Sequence, residues 1–277
     1  MRGGLLETNP FASLAGLLPA NFMKAYLVVM VLAVIVGTIL DMVHKGSARY
    51  FFANSRKSRT RKDARQIGGG EMLSIAARTA VVDVLASGEF CNPRRRLAHL
   101  LTMYGFILYL VTTAIMVFRE ATPGSGIVPV LWWIGALMVA VGGYWFWFFI
   151  RVDVAAEGNT PFRVVRADLF VLSLVASVTL GLVWAFAGGG AGVLFWLYLF
   201  ATTVLFGTVF WSKLAHMFFK PAAAFEKRVS LANGTAENLP TQTRDDPAQQ
   251  QRHSMELLRE APMDMGLGIE REAPRHY

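Results

Sequence analysis

Two histidines are placed where they could ligate the same cofactor. His99 lies at the start of one long apolar segment, and His216 lies close to the end of another. Imidazole ligates haem iron, and a six-coordinate haem b needs one imidazole on each axial face. Two histidines on different helices at matched depth meet that requirement. A lone histidine at such a position would more simply lie in the wet interfacial zone with no ligand, and this remains the alternative for both.

Cationic side chains near the two histidines could bind the propionates of such a haem. The candidates are Arg95, Arg96 and Lys213, because guanidinium and ammonium groups form strong hydrogen bonds with carboxylates. Gly105 and Gly207 lie on the same two segments and could let a flat ring approach the backbone closely.

Asp41 and His44 form a second and weaker candidate site, one helical turn apart near the end of the first apolar segment. As a functional pair they would handle protons beside a quinone, because quinone reduction consumes protons. The simpler interpretation is a polar helix end, in which the charge of His44 and Lys45 complements the helix dipole.

Five apolar segments are long enough to hold these residues in a membrane. A helix needs about 20 residues to cross a bilayer, and in hydrocarbon its backbone groups must bond within the segment. The predicted spans are residues 22–43, 97–118, 128–150, 168–187 and 193–219. The predicted fold class is therefore an all-α integral membrane protein with five transmembrane helices.

Composition and charge agree with a membrane protein. Hydrophobic residues make up 54% of the chain and charged residues only 17%, against about 25% charged in typical soluble domains. Of the 27 Lys and Arg residues, 24 fall on one side of the predicted spans. By the positive-inside rule, the N-terminus is outside and the C-terminus is cytoplasmic. The net charge of +8 is then a topology signal, with anionic lipids and a cytoplasmic partner as secondary uses, and nucleic acid is not expected as a partner.

The rest of the chain divides around the membrane domain, residues 22–221. Residues 1–21 are predicted to be an outside segment. The basic loop 44–96 is predicted to contain an amphipathic helix over 71–86, which would lie on the cytoplasmic interface or pack in a core. The polar residues 222–277 are predicted to be a cytoplasmic, largely disordered tail. The single cysteine excludes an iron–sulfur or zinc site built from several cysteines of this chain.

Two stretches resemble haem-b membrane subunits like the gamma subunit of respiratory nitrate reductase and the related subunits of heterodisulfide-reductase-like and quinone-interacting complexes. They are residues 92–118 (NPRRRLAHLLTMYGFILYLVTTAIMVF) and 210–221 (FWSKLAHMFFKP). The resemblance covers roughly residues 22–221 and implies one haem b held by His99 and His216. Two-haem members carry further histidines where this chain has Tyr109 and Tyr198. That departure implies an outer site that is lost or that holds something other than a bis-histidine haem.

Within this group the chain looks most like the short membrane anchors associated with dissimilatory adenylylsulfate reductase. The likeness implies a multi-pass subunit of the bacterial inner membrane that links the quinone pool to that cytoplasmic enzyme. Because the chain has no cluster-binding cysteines, the iron–sulfur relay would belong to the partner. A passive anchor without cofactor is the main alternative, and a small transporter is a further one. No residue set predicts independent hydrolytic or group-transfer catalysis.

Overall fold

The computed structural model describes residues 4–88, 90, 93–119, 126–151, 162, 164–165, 168–212, 216–237 and 239, and the regular structure in these ranges is helical. The helices are α1 (Phe22–Lys45), α2 (Ser47–Thr60), α3 (Gly69–Arg78), α4 (Pro93–Phe118), α5 (Ile127–Trp145), α6 (Leu169–Phe186), α7 (Val193–Gly207) and α8 (His216–Ala232). Wider π-helical turns extend α3 over Thr79–Leu85 and α5 over Phe146–Ile150. Two short 3-10 turns, Leu5–Glu7 and Pro10–Leu14, precede α1.

Within the described residues, four helices are long and apolar enough to cross a bilayer. They are Phe22–His44, Pro93–Phe118, Ile127–Ile150 and Leu169–Phe186. They coincide with the first four predicted spans, and the chain is an all-helical, multi-pass membrane protein.

The fifth predicted span, residues 193–219, is not one continuous helix. α7 ends at Gly207, residues 208–212 form turns, and the next helix begins at His216. α7 has 15 residues, which at about 1.5 Å per residue gives about 22 Å. That length is short of the roughly 30 Å of a bilayer's hydrocarbon core.

Thr208 directly follows the last residue of α7 and bonds back to that helix. Its hydroxyl donates to the carbonyl of Val204 at 2.6 Å, and its own N–H donates to the same carbonyl at 3.2 Å. The N–H groups of Trp211 and Ser212 then both donate to the Thr208 carbonyl at 2.9 Å. Such local bonds give the backbone an alternative to the helical pattern. Because the residues after Thr208 are also apolar, the sequence had predicted one continuous span here.

The chain forms two compact units. The first contains Met1–Lys45, Arg94–Phe148 and Val164–Met217, and the second contains Gly46–Pro93, Phe149–Arg163 and Phe218–Tyr277. The first unit therefore holds the apolar helices, and the second is assembled from the basic loop and the C-terminal part of the chain.

The N-terminal segment closes one end of the first unit. The buried ring of Phe11 lies against Trp132 and Trp184, with centroid distances of 6.3 and 5.2 Å. The side-chain amide of Asn9 donates to the carbonyl of Met116 at 3.0 Å. The segment is thereby anchored at the end of the first unit that contains the last turns of α4 and α6 and the first turns of α5.

In the second unit, a buried amide connects α2 to the end of α8. The Asn233 amide nitrogen donates to the hydroxyl and the carbonyl of Ser58, at 3.0 and 3.3 Å. Its amide oxygen accepts from the N–H and the hydroxyl of Thr235, at 3.0 and 2.7 Å. All four hydrogen-bonding positions of the amide are thus used.

These contacts order the first part of the predicted tail. Residues 222–232 are helical, and residues 233–237 pack on α2. Polar composition alone had suggested disorder, but many of these polar groups bond to partners far away in the sequence. The remainder of the predicted tail, residues 240–277, lies outside the described residues.

A bidentate ion pair joins α8 to the π-helical turn after α3. Arg228 donates from Nε to Oδ2 of Asp83 at 2.5 Å and from Nη2 to Oδ1 at 2.8 Å. The hydrogen bonds from Arg228 hold the pKa of Asp83 below its ordinary value, and nearby cationic charge adds to the effect. The ionised carboxylate is therefore the form that stabilises this contact.

We expect Asp83→Asn to destabilise the second unit at neutral pH and to lose that effect in acid. Because folding lowers the pKa of Asp83 from an unfolded value of about 3.9, its contribution is present above that value and is lost as the pH falls through the folded pKa. Thermal unfolding of both proteins at pH 7 and pH 3 measures the difference. Asp63→Asn, which removes an exposed ion pair with Arg61, is the control and should have a smaller effect at pH 7. An equal Tm difference at both pH values for Asp83→Asn would contradict the assignment.

Phe11→Ala should destabilise the first unit by about 3–5 kcal/mol, because a buried ring is replaced by a cavity between two tryptophans. Thermal unfolding in detergent micelles measures the change. Leu17→Ala, in the same segment but 60% exposed, should leave Tm nearly unchanged. Equal midpoints for the two variants would show that the segment is not anchored through Phe11.

Candidate functional site

His99 lies in the second turn of α4, beside the seam that packs α4 on α5. A Cβ atom added to Gly142 would be 2.8 Å from the carbonyl oxygen of Ala98, and one added to Gly135 would be 2.7 Å from the backbone nitrogen of Tyr109. The two helices therefore approach each other closely along this seam. Ala98 is buried in it, whereas the side chain of the adjacent His99 is exposed.

The two glycines that were expected to admit a flat ring have different surroundings. A Cβ atom on Gly105 would be 2.6 Å from Cβ of Met138, so α5 occupies the space beside it. A Cβ atom on Gly207 would meet nothing within 4 Å. Of the two, Gly207 keeps the open backbone that a ring would need.

Aromatic contacts establish which end of the first unit carries His99. Phe106 of α4 stacks on Phe206 of α7 at a centroid distance of 6.3 Å, and the hydroxyls of Tyr109 and Tyr198 are 3.3 Å apart. As α4 advances, its contacts on α7 move backwards along the chain, so the two helices are antiparallel. His99, seven residues before Phe106, therefore lies at the end of the unit where α7 finishes.

The other proposed haem residues are only partly described. His216 is the first residue of α8 and belongs to the first unit, but its side chain lies outside the described residues, as does Lys213. Arg95 is half-buried and Arg96 is exposed in the first turn of α4. The structure thus assigns the two histidines to one compact unit.

α1 runs parallel to α7 and ends at the same end of the first unit. Near its start, the Tyr26 hydroxyl donates to the carbonyl of Leu199 at 3.1 Å. Farther along, a Cβ atom on Gly37 would be 2.9 Å from Cβ of Val209. From the first contact to the second, the residue numbers rise in both segments, so α1 and α7 run in the same direction. The C-terminal turn of α1 therefore lies beside the break that follows α7.

Asp41 and His44 lie on the face of α1 that meets this break. They follow Gly37 by four and seven residues, which keeps all three on one side of the helix. The Asp41 side chain is only 3% exposed, whereas His44 is exposed and its ring centroid is 5.4 Å from that of Phe210. A buried carboxylate and an accessible imidazole are thus brought to a non-helical turn of the backbone.

Tyr109 and Tyr198, the departures from the two-haem pattern, contact each other in the interior. Each ring also packs on a tryptophan: Tyr109 on Trp132 at 5.2 Å, and Tyr198 nearly parallel to Trp184 at 5.7 Å. The cavity beside them measures about 20 Å³, which is enough for a water molecule and far too small for a haem.

Sequence reasoning did not predict the break after α7 or the burial of Asp41. Gly207 and Thr208, a small residue followed by a helix-competing hydroxyl, were the available signal for the break. Nothing in the sequence around Asp41 indicates which face of α1 packs on the protein. Within the described residues, no group of three or more His, Cys, Asp or Glu side chains is placed to hold a metal ion. A haem held by two histidines would not form a group of this kind.

No protein family, curated protein or solved structure matches this chain in the comparisons made. The chemistry available at this end of the first unit comes from an exposed imidazole on α4, a second histidine that opens α8, and the Asp41 and His44 pair. Imidazoles can ligate a metal or exchange protons, and a carboxylate can exchange protons.

We expect Gly135→Ala to force α4 away from α5 and to destabilise the first unit by about 1–3 kcal/mol, the usual cost of overpacking. The added methyl group would meet backbone atoms, which cannot move aside as a flexible side chain can. Gly126→Ala, at the start of the same helix, is the matched control, because its methyl group would meet nothing within 4 Å. Thermal unfolding in detergent measures both, and a Gly135→Ala variant as stable as Gly126→Ala would contradict the close seam.

Proposed function

We propose that the protein is a membrane electron-transfer subunit that links the quinone pool to a cytoplasmic oxidoreductase through one haem b. The observation that carries the proposal is the convergence of three features at one end of the first unit. His99 lies in the second turn of α4 there, α7 ends there before His216, and the C-terminal turns of α1 place Asp41 and His44 at the same end.

His99 and His216 would hold the haem iron through their imidazoles. The exposed side chain of His99 and the open backbone at Gly207 support a planar ring in this region. The stacked rings of Phe106 and Phe206 supply an apolar surface on the side toward the middle of the unit. A bound haem b supplies reversible one-electron oxidation and reduction.

Arg95, Arg96 and Lys213 would neutralise the two propionates. Arg95 and Arg96 precede His99 by four and three residues, so they lie within one helical turn of it, on the side away from the apolar interior. Such cations let a charged group remain at the boundary of the membrane without burying an unpaired carboxylate.

Asp41 and His44 would exchange protons with a quinone that arrives from the bilayer. Complete reduction of a quinone takes up two electrons and two protons, and each oxygen becomes a hydroxyl. The exposed imidazole of His44 is the group within reach of a lipid-borne ring, and Phe210 offers it an apolar neighbour. The buried carboxyl group of Asp41, one turn away, would relay the proton to or from His44.

The cytoplasmic partner that we propose is adenylylsulfate reductase, and the location is the bacterial inner membrane. The support is the resemblance of residues 92–118 and 210–221, together with the 24 cationic residues that the predicted topology assigns to the cytoplasmic side. With a single cysteine in the chain, electrons would pass directly between the haem and a cofactor of the partner.

We expect the protein purified from haem-replete membranes to show one haem b per chain in its reduced-minus-oxidised spectrum. His99→Ala and His216→Ala should each lose this signal, because each removes an axial ligand. His253→Ala, a histidine substitution in the C-terminal tail, is the control and should retain it. A wild-type protein without haem would overturn the redox function and leave a passive anchor.

We expect His44→Ala to keep the haem spectrum and to slow quinol-dependent haem reduction by roughly 100-fold, the usual size of a general acid–base contribution. Stopped-flow reduction of the haem by a short-chain quinol measures this rate. Reduction by dithionite, which needs no quinone site, should be unchanged. A normal quinol rate in His44→Ala would remove Asp41 and His44 from the quinone site.

A further inference from the structure

An exposed apolar face runs along α3 and its π-helical extension. Leu73 is 72% exposed, Val81 58% and Leu85 51%, and Ala77 lies between the first two on the same side. The four-residue spacing keeps these side chains in one stripe. The π-helical turn, with its bond from the Ala86 N–H to the Val81 carbonyl, holds Leu85 in line with Val81. We call these four residues the apolar stripe.

The apolar stripe is not the face by which this helix packs in the second unit. Thr79 is buried, and Met72 and Ile75 are half-buried on the other side of the helix. Asp83 continues that side, and Arg228 of α8 binds it there. The helix therefore already has an inward face, and a second apolar face left in water would be costly.

Chain connection keeps the apolar stripe near the bilayer. Leu85 precedes Pro93, the first residue of the spanning helix α4, by eight residues, and eight residues reach at most about 26–29 Å. On the other side, α2 begins two residues after the spanning helix α1 ends. The segment between the two spans is thus tethered to the membrane at both ends.

The charge around the apolar stripe favours lipid over a second copy of the chain. Arg78 is exposed within the same helix. The two acidic residues of that helix are already paired with arginines, Glu71 with Arg65 and Asp83 with Arg228, so among the described residues Arg78 is left as the uncompensated charge beside the apolar stripe. Two copies meeting through this face would bring like charges together. An anionic bilayer surface instead attracts cations that border an inserted apolar face.

We propose that the apolar stripe is a lipid-binding face, which inserts into the headgroup boundary of an anionic bilayer. Leu73, Val81 and Leu85 enter the apolar side of that boundary, and Arg78 pairs with lipid phosphate. The second unit thereby contacts the membrane through its own surface, in addition to its chain connections to the spanning helices. This inference does not depend on a bound haem.

Site-directed spin labelling of the full-length protein tests the proposal. In a Cys91→Ala background, single cysteines replace Leu73, Val81 or Leu85, and Ser74→Cys is the matched control on the same helix but off the apolar stripe. Each protein is labelled and reconstituted into nanodiscs containing phosphatidylglycerol. Collision with oxygen reports lipid, and collision with a water-soluble nickel chelate reports water.

We expect the oxygen-to-nickel collision ratio to be several-fold higher at positions 73, 81 and 85 than at position 74. In nanodiscs of phosphatidylcholine alone, the ratio at the three positions should fall. Ratios equal to that of position 74 would place the apolar stripe in water and overturn the proposal. Exclusion of both reagents would indicate a protein contact and overturn it as well, and an unchanged ratio in neutral lipid would overturn the role of anionic charge.

Discussion

Backbone polar groups beyond the end of a helix need hydrogen-bond partners or cover by protein, most strictly in a membrane, and the end of α7 imposes this requirement on the first unit. The turns at residues 208–212 are covered by packing against α1. The small size of Gly37 lets α1 and these turns approach closely. The close contact at Gly37 also places the next two turns of α1, which carry Asp41 and His44, beside the break after α7. The burial of Asp41 and the position of His44 are therefore consequences of how the interruption of α7 is covered.

The two ends of the first unit are built differently. One end is filled by Phe11 and its tryptophan neighbours, and the middle is filled by the contact between Tyr109 and Tyr198. At the other end, helices finish in polar and small residues around an open Gly207. Under the proposed function, haem and quinone would both lie at this second end. Electrons would then enter and leave on one side of the membrane, without a second haem to carry them across.

The first four spans could be predicted to within a few residues because charge, Pro or Gly bounds each apolar run. The interruption of α7 could not be predicted, because residues 209–211 are as apolar as the helix before them and only Gly207 and Thr208 indicate a change. The ordered start of the tail was missed for a different reason. Asn233 bonds to Ser58, 175 residues earlier, and no local pattern contains that partner. For the site, the sequence predicted that His99 and His44 lie on the same side of the membrane, but it did not predict the burial of Asp41 or the interruption of α7.

The pairing of Ser58 with Asn233 also has a consequence for biosynthesis. The second unit contains the first long loop of the chain and a segment near its C-terminus, so α2 leaves the ribosome well before its partner exists. At about 5–20 residues per second, 175 residues take roughly 9–35 s to translate. During that interval the hydroxyl of Ser58 lacks Asn233 and Thr235, its hydrogen-bond partners in the folded unit. The second unit is therefore completed only after every spanning helix has been synthesised.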